Sequence, residues 1–218
     1  MKNRLLIIFL LFSVPLLTIA QGIRFSAFAD PQITWLKPEI RSIENAGVRG
    51  GLDVGFEMDN FFSENYAFST GLSINSIGGK LKFQEPATIR FDGFTETVTE
   101  GQTVTYKLQY LNLPLGMKFT TREIGYTKIY VKLGATGHFN ISSRADITAI
   151  GVEDDSLKDE IQPVNVSYHA GAGIQYSLGG ETALIAGFEY KHRFIDITTN
   201  PDFKALLNSL GLRLGILF

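Results

Sequence analysis

The chain has 218 residues, 44% hydrophobic and 19% charged, with 22 Gly, 17 Phe, 8 Tyr and no Cys. Its 20 basic and 22 acidic residues leave a formal charge of −2, which gives no electrostatic footprint for nucleic acid. The missing cysteine excludes disulfide staples, thiolate zinc sites and cysteine nucleophiles, and past the N-terminus no apolar run reaches the roughly 20 residues of a membrane helix.

Lys2 and Arg4 precede an apolar run over residues 5–17, and Thr18-Ile19-Ala20 then supplies small residues at the first and third positions before Gln21. These are the charged, apolar and exit regions of a secretory signal peptide, expected over residues 1–20 with cleavage after Ala20. Residues 21–218 then form one domain outside the cytoplasm.

Beyond residue 21 the apolar residues recur with period 2, and no window carries a helical stripe, so the domain reads as all β. Eight strands are expected at 23–35, 47–58, 66–79, 103–119, 127–141, 164–178, 182–196 and 205–218. In the second, Val48, Leu52, Val54, Phe56 and Met58 share one face, while Arg49, Asp53 and Glu57 share the other with Gly51 and Gly55. In the fourth, the apolar phase flips between Tyr106-Leu108-Tyr110 and Leu111-Leu113-Leu115, which predicts a bulge near Tyr110 that would also accommodate Pro114. The fifth sets Ile129, Val131, Leu133, Phe139 and Ile141 against Lys128, Lys132, His138 and Asn140, and the last sets Leu210, Leu212, Leu214, Ile216 and Phe218 against Gly211, Arg213 and Gly215.

A strand of about 9 to 11 residues tilted near 45° spans a bilayer, and these strands are that long or longer. The connections alternate between long (36–46, 80–102, 142–163, 197–204) and short (59–65, 120–126, 179–181), the habit of a membrane barrel with long loops outside. Lipid cannot satisfy a sheet edge, so such a sheet must close. The expectation is an eight-stranded antiparallel up-and-down transmembrane β-barrel in the bacterial outer membrane. Its narrow lumen would be filled by side chains, with aromatic belts at both ends. A secreted soluble barrel of lipocalin type also has eight strands, and alternation alone does not say which face is inward.

The polar phase carries Arg49, Asp53, Glu57, Lys132, Glu189, Lys191, Arg193 and Arg213. Their mixed signs predict a lumenal charge network with pairs formed across strands, because unpaired charge in that enclosure is costly. His138 and His169 fall near the outer ends of neighbouring strands and could bind a metal or serve acid–base chemistry. No carboxylate has a defined place beside them, so they read as network members, and no catalytic, metal or cofactor site is assigned. His192 falls in the apolar phase and reads as interfacial. Segment 142–163, with Asp146, Glu153, Asp154, Asp155, Asp159 and Glu160, lacks the calcium-loop spacing and reads as a solvated acidic loop.

The run Tyr110-Leu111-Asn112-Leu113-Pro114-Leu115-Gly116-Met117-Lys118-Phe119 resembles the internal motif of the PorT-like outer-membrane β-barrel family. Support extends to the segments 134–139, 171–176 and 188–194, although Glu189-Tyr190 stands where the family has Arg-Tyr. The terminal Phe218 looks like the signal by which barrel-assembly machinery recognises a client. The resemblance implies outer-membrane lipid as solvent, assembly machinery during biogenesis, and protein partners at the loops or periplasmic rim. It also implies a link to secretion of surface proteins. The expected function is non-enzymatic and structural or interactive; the alternative is a narrow transport or gating barrel, and the third reading an enzyme at the outer rim.

Overall fold

The computed structural model describes residues 22–157, 159–200 and 203–218; the expected signal segment lies outside the described residues. Twelve strands follow in chain order: β1 (Ile23–Pro38), β2 (Ile43–Gly47), β3 (Arg49–Ser63), β4 (Tyr66–Phe83), β5 (Ala87–Arg90), β6 (Thr95–Val98), β7 (Thr103–Thr120), β8 (Thr127–Ile147), β9 (Val152–Ser156), β10 (Val164–Gly179), β11 (Thr182–Arg193) and β12 (Ala205–Leu217). Eight of them, β1, β3, β4, β7, β8, β10, β11 and β12, pair with their neighbours in antiparallel ladders, and β12 pairs back onto β1. The barrel is therefore closed, with no edge in its wall. Phe218 completes the seam, exchanging backbone hydrogen bonds with Phe25 at 3.1 and 2.8 Å.

Which face looks outward is settled by exposure. Phe56 is 65% exposed, Leu72 55% and Leu133 50%, and the same outward phase on the other strands carries Ile33, Leu113, Ile174, Leu184, Phe188, Leu212 and Leu214. The charged phase is buried: Asp53 is 0% exposed, Glu57 4% and Lys132 2%. A soluble barrel has the reverse polarity. An apolar exterior of this extent around a charged interior is made for lipid. Rings gather at both ends of the apolar band. Tyr66 packs edge-on to Phe119 and Tyr126 tilts against Tyr176 at the short-turn end, while Trp35, Tyr168, Tyr190 and Phe194 make tilted contacts at the long-loop end.

Three of the expected details differ. First, the extra residue predicted near Tyr110 lies on the neighbouring strand. The β7–β8 register steps from Gln109↔Ser142 to Tyr110↔Asn140, which leaves Ile141 of β8 unpaired in the count. β7 itself keeps one phase, with Val104, Tyr106, Leu108, Tyr110 and Asn112 all buried. What changes along β7 is the interior it faces, apolar at the loop end and polar in the membrane. Second, Pro114 needs no bulge. On its β4 side the ladder passes from Thr70↔Leu115 to Ser73↔Asn112 with register unchanged, and the missing rung is where a residue without N–H fits.

Third, the long connections are not loose. β4, β7 and β8 run past the apolar band, β2 pairs the extension of β4, β9 pairs the extension of β8, and β5 and β6 form a hairpin. Together they enclose an apolar core of Leu36, Ile43, Leu81, Phe83, Ile89, Phe91, Val98, Tyr106, Ile147, Ile161, Ile197 and Phe203 among others. Each of these short strands has one greasy face and too little of it to be stable alone; stacked over the barrel mouth they bury it jointly. The β8–β9 hairpin is pinned by Lys107 to Asp146 at 2.8 Å and Arg144 to Asp154 at 2.6 Å, and Arg90 meets the buried Glu160 at 2.9 Å. Asp146, Asp154 and Glu160 of the acidic segment are thus ion-paired, where a solvated loop was expected.

Candidate functional site

The lumen holds one connected polar web that draws on every barrel strand. Starting at the loop end, Ser167 of β10 donates to His138 Nε2 at 2.8 Å, and His138 Nδ1–H donates to Asn112 Oδ1 at 2.6 Å. Asn112 in turn donates to Asp53 Oδ2 at 3.3 Å, which also takes Lys191 Nζ at 2.7 Å. Lys191 lies 3.0 Å from Glu189, and Glu189 3.0 Å from Arg213. Arg213 is the hub: it lies 2.8 Å from Asp30 and 2.9 Å from Glu57, with its guanidinium 4.1 Å from the centre of the Phe28 ring. Glu57 also takes Lys132 in a direct ion pair and stands 3.9 Å from Lys118, and Lys118 passes the web to Asp59 and, through it, to Ser69 of β4.

Of the residues expected in this network, Asp53, Glu57, Lys132, Glu189, Lys191 and Arg213 are brought together here. Arg49 and Arg193 are not. Arg49 sits where β4 exchanges its partner β3 for β2, and its Nη1 donates to Ile77 O at 3.0 Å. Thr34 Oγ1 donates to Gly78 O at 2.6 Å at the same place. Both side chains stand in for ladder bonds the exchange interrupts. Gly78 and Gly79 are required there, because a Cβ on Gly78 would lie 1.9 Å from Tyr106 O and one on Gly79 2.7 Å from Leu36. Arg193, 2% exposed, makes no ion pair among the described residues and lies 4.0 Å from the Tyr110 ring centre. It marks the boundary between the charged lumen and the apolar cap.

Three charged members of the web escaped the sequence reading. Asp59 is in phase with Asp53 and Glu57 but lies one residue past the expected strand end. Asp30 and Lys118 were legible from alternation on β1 and β7, where Gln32 and Thr34, and Asn112 and Gly116, share their inward phase.

The two histidines do not form a site at the rim. Each is 1% exposed. Both nitrogens of His138 are committed to Asn112 and Ser167, while His169 Nδ1 shares a 2.9 Å hydrogen bond with Thr136 Oγ1. The His169 ring occupies the clearance left by Gly116 and Gly134, where a Cβ would fall 3.1 and 2.8 Å from it. Among the described residues no cluster of His, Asp or Glu has the arrangement of a metal site.

The lumen is closed twice over, by ion pairs in the membrane and by the apolar core above. Lys118, Lys132, Arg193, Tyr106 and Tyr110 are all at most 2% exposed, sealed from solvent. The arrangement can hold a barrel shut and present a rigid outer surface.

Comparison with known proteins agrees with this architecture. A family model described as outer membrane protein beta-barrel domain matches residues 18–199. Among solved structures, neisserial surface protein A is 15% identical with a TM-score of 0.53, covering 90% of this chain and 98% of that one. OprG of Pseudomonas aeruginosa is 11% identical with a TM-score of 0.49, over 90% and 94%. Ail, the attachment invasion locus protein of Yersinia pestis, is 13% identical with a TM-score of 0.44, over 91% and 100%. At 15% identity the likeness to neisserial surface protein A is one of fold. No curated protein matches the chain.

Proposed function

The chain belongs to the outer membrane protein beta-barrel domain family, and from that premise we propose that it is a non-enzymatic, non-conducting barrel that acts through the surfaces at its two ends. Membership points to the bacterial outer membrane, and the observation that carries the reading is the doubly closed lumen. Ion pairs centred on Arg213 and Glu57 fill it, and the core around Phe83 and Phe203 seals it from above. A transport role requires a path that this interior does not supply, and a rim enzyme requires accessible groups where His138 and His169 are buried. What remains for function is the external cap and the periplasmic rim, both suited to protein partners.

Planar-bilayer recording of the folded protein tests this reading. No resolved conductance steps are expected, and a stable open level would overturn the non-conducting assignment. The resemblance of residues 110–119 to the PorT-like motif supports a finer reading, in which the partner belongs to machinery exporting surface proteins. Deleting the protein should then reduce the surface display of exported proteins; unchanged display would refute that assignment alone.

A further inference from the structure

The outer wall of the barrel is not uniform at its long-loop end. One row of register partners runs Trp35↔Asn208↔His192↔Tyr168 across β1, β12, β11 and β10, and all four side chains lie in the outward phase. Three of them are aromatic or imidazole rings. Tyr190 on β11 and Phe194 just past its end, two positions to either side of His192, join the same face. The rings form one connected sheet: Trp35 and Tyr190 have centroids 6.4 Å apart, Tyr168 and Tyr190 6.1 Å, Tyr168 and His192 5.2 Å, Tyr168 and Phe194 5.4 Å.

An aromatic belt needs no more than rings at the headgroup level. Here polar atoms sit among them. Asn208, in a phase otherwise given to Leu210, Leu212, Leu214 and Ile216, is 3% exposed beneath the rings. Its Oδ1 accepts from Tyr190 Oη at 3.3 Å and from His192 Nδ1. That bond fixes the imidazole: with Nδ1–H committed inward, Nε2 is left without a partner among the described residues, on a half-exposed ring between Tyr168 and Phe194. A polar group oriented by a buried amide on a lipid-facing wall is costly where only acyl chains meet it. Next in phase above Trp35, at the upper end of the patch, is the exposed Lys37.

We propose that this patch is a binding site for the sugar headgroup of an outer-leaflet glycolipid. Flat rings match the apolar C–H faces of a pyranose, and His192 Nε2 can accept from a sugar hydroxyl while Tyr168 Oη donates or accepts beside it. The acyl chains of the same molecule would continue down the apolar wall over Leu210 and Phe188, which are 45% and 64% exposed. Continuity between the patch and that lipid-facing wall is what selects a lipid as occupant over a soluble saccharide or a second copy of the chain.

Trp35 is the single tryptophan, so its emission reports the patch directly. The folded protein is placed in phosphatidylcholine vesicles carrying a rising mole fraction of a diglycosyl diacylglycerol, with phosphatidylglycerol as the comparison lipid. The expected result is a saturable change in Trp35 emission with the glycolipid and none with phosphatidylglycerol. His192→Phe, which keeps a ring and removes Nε2, and Tyr168→Ala should each raise the half-saturating fraction by about tenfold, the equivalent of one good hydrogen bond or ring contact. Retained heat-modifiable gel mobility confirms that each variant is folded. Equal responses to the two lipids, unchanged curves in both variants, or emission that follows protein density in place of glycolipid content would each overturn the site, the last by pointing to self-association.

Discussion

Replacing Arg213 by Met removes the hub charge and keeps a stem of similar length over Phe28. In the native lumen the guanidinium lies within 3.0 Å of Asp30, Glu57 and Glu189. At an effective dielectric of about 20, one such contact is worth about 5 to 6 kcal/mol of Coulomb energy before desolvation. Desolvation of each ion takes back several kcal/mol. The variant escapes the cost of burying Arg213 but leaves three carboxylates facing only Lys118, Lys132 and Lys191. Removing one partner of a buried pair costs about 3–5 kcal/mol, and the crowding of three acids puts the expected loss at the upper end. The assay is urea unfolding of vesicle-inserted protein at neutral pH, followed by the gel shift between folded and unfolded forms, with the midpoint falling while the denaturant slope holds. Arg213→Lys should lose about half as much, since one ammonium can meet two acids but lacks the fork that reaches three. A loss below about 1 kcal/mol for Arg213→Met would refute the reasoning, because it would mean that lumenal water screens these pairs as it does surface ones.

Phe203→Ala should cost about 3–5 kcal/mol of local stability, as Phe203 is fully buried edge-on against Phe83. The readout is protease cleavage of the external segments with the barrel band intact; loss of the barrel together with the cap would show that the two are one cooperative unit. The Asp154 carboxyl is held below its ordinary value of 3.8, first by the hydrogen bond from Arg144 and then by that from Lys107. A group lowered in this way stabilises above 3.8 and loses that contribution as the pH falls through its folded value. Cleavage of the β8–β9 hairpin should therefore rise only in strong acid for the native chain and already at pH 7 for Asp154→Asn, and equal cleavage of the two at pH 7 would count against it. Gly187→Val should block barrel formation or destabilise it by at least about 1–3 kcal/mol, since a Cβ there meets Tyr130 Oη at 2.5 Å and Ala172 O at 2.6 Å; a fully folded, equally stable variant would show that this part of the lumen is slack.

The barrel wall was legible because its signal is local. Each strand alternates for ten residues or more, and the outward set Val54, Phe56, Leu111, Leu113 and Leu115 reads directly from spacing. The cap was hidden for the opposite reason. Ile89, Phe91, Val98, Val152, Ile161, Ile197 and Phe203 are scattered over segments of four or five residues with no shared period, and only the fold brings them into one core. On β7 the two signals collide. Tyr106, Leu108 and Tyr110 keep the inward phase of Asn112, so the apparent slip recorded a change of environment along one strand, while the true extra residue, Ile141, sits on β8 where Ile147 and Ala145 resume the inward phase. Charge pairing was foreseeable as a need, but its partners were not. Arg193 shares phase and burial with Lys191 and still stacks on Tyr110, because two residues along a strand carry it from the acids of the lumen to the floor of the cap.

The cap's core joins residues from Leu36 to Leu207, nearly the whole length of the described chain, and that span dictates an order of events. The core as a whole cannot be complete before β1 and β12 have met, because Leu36 and Leu207 face each other across that last seam. The β5–β6 hairpin and the β8–β9 pairing can form within their own segments, but the complete core can condense only once the seam has closed. Contacts of such sequence separation are slow to form. Once formed, they work as a catch: the external segments cannot be drawn back through the membrane without first being unfolded.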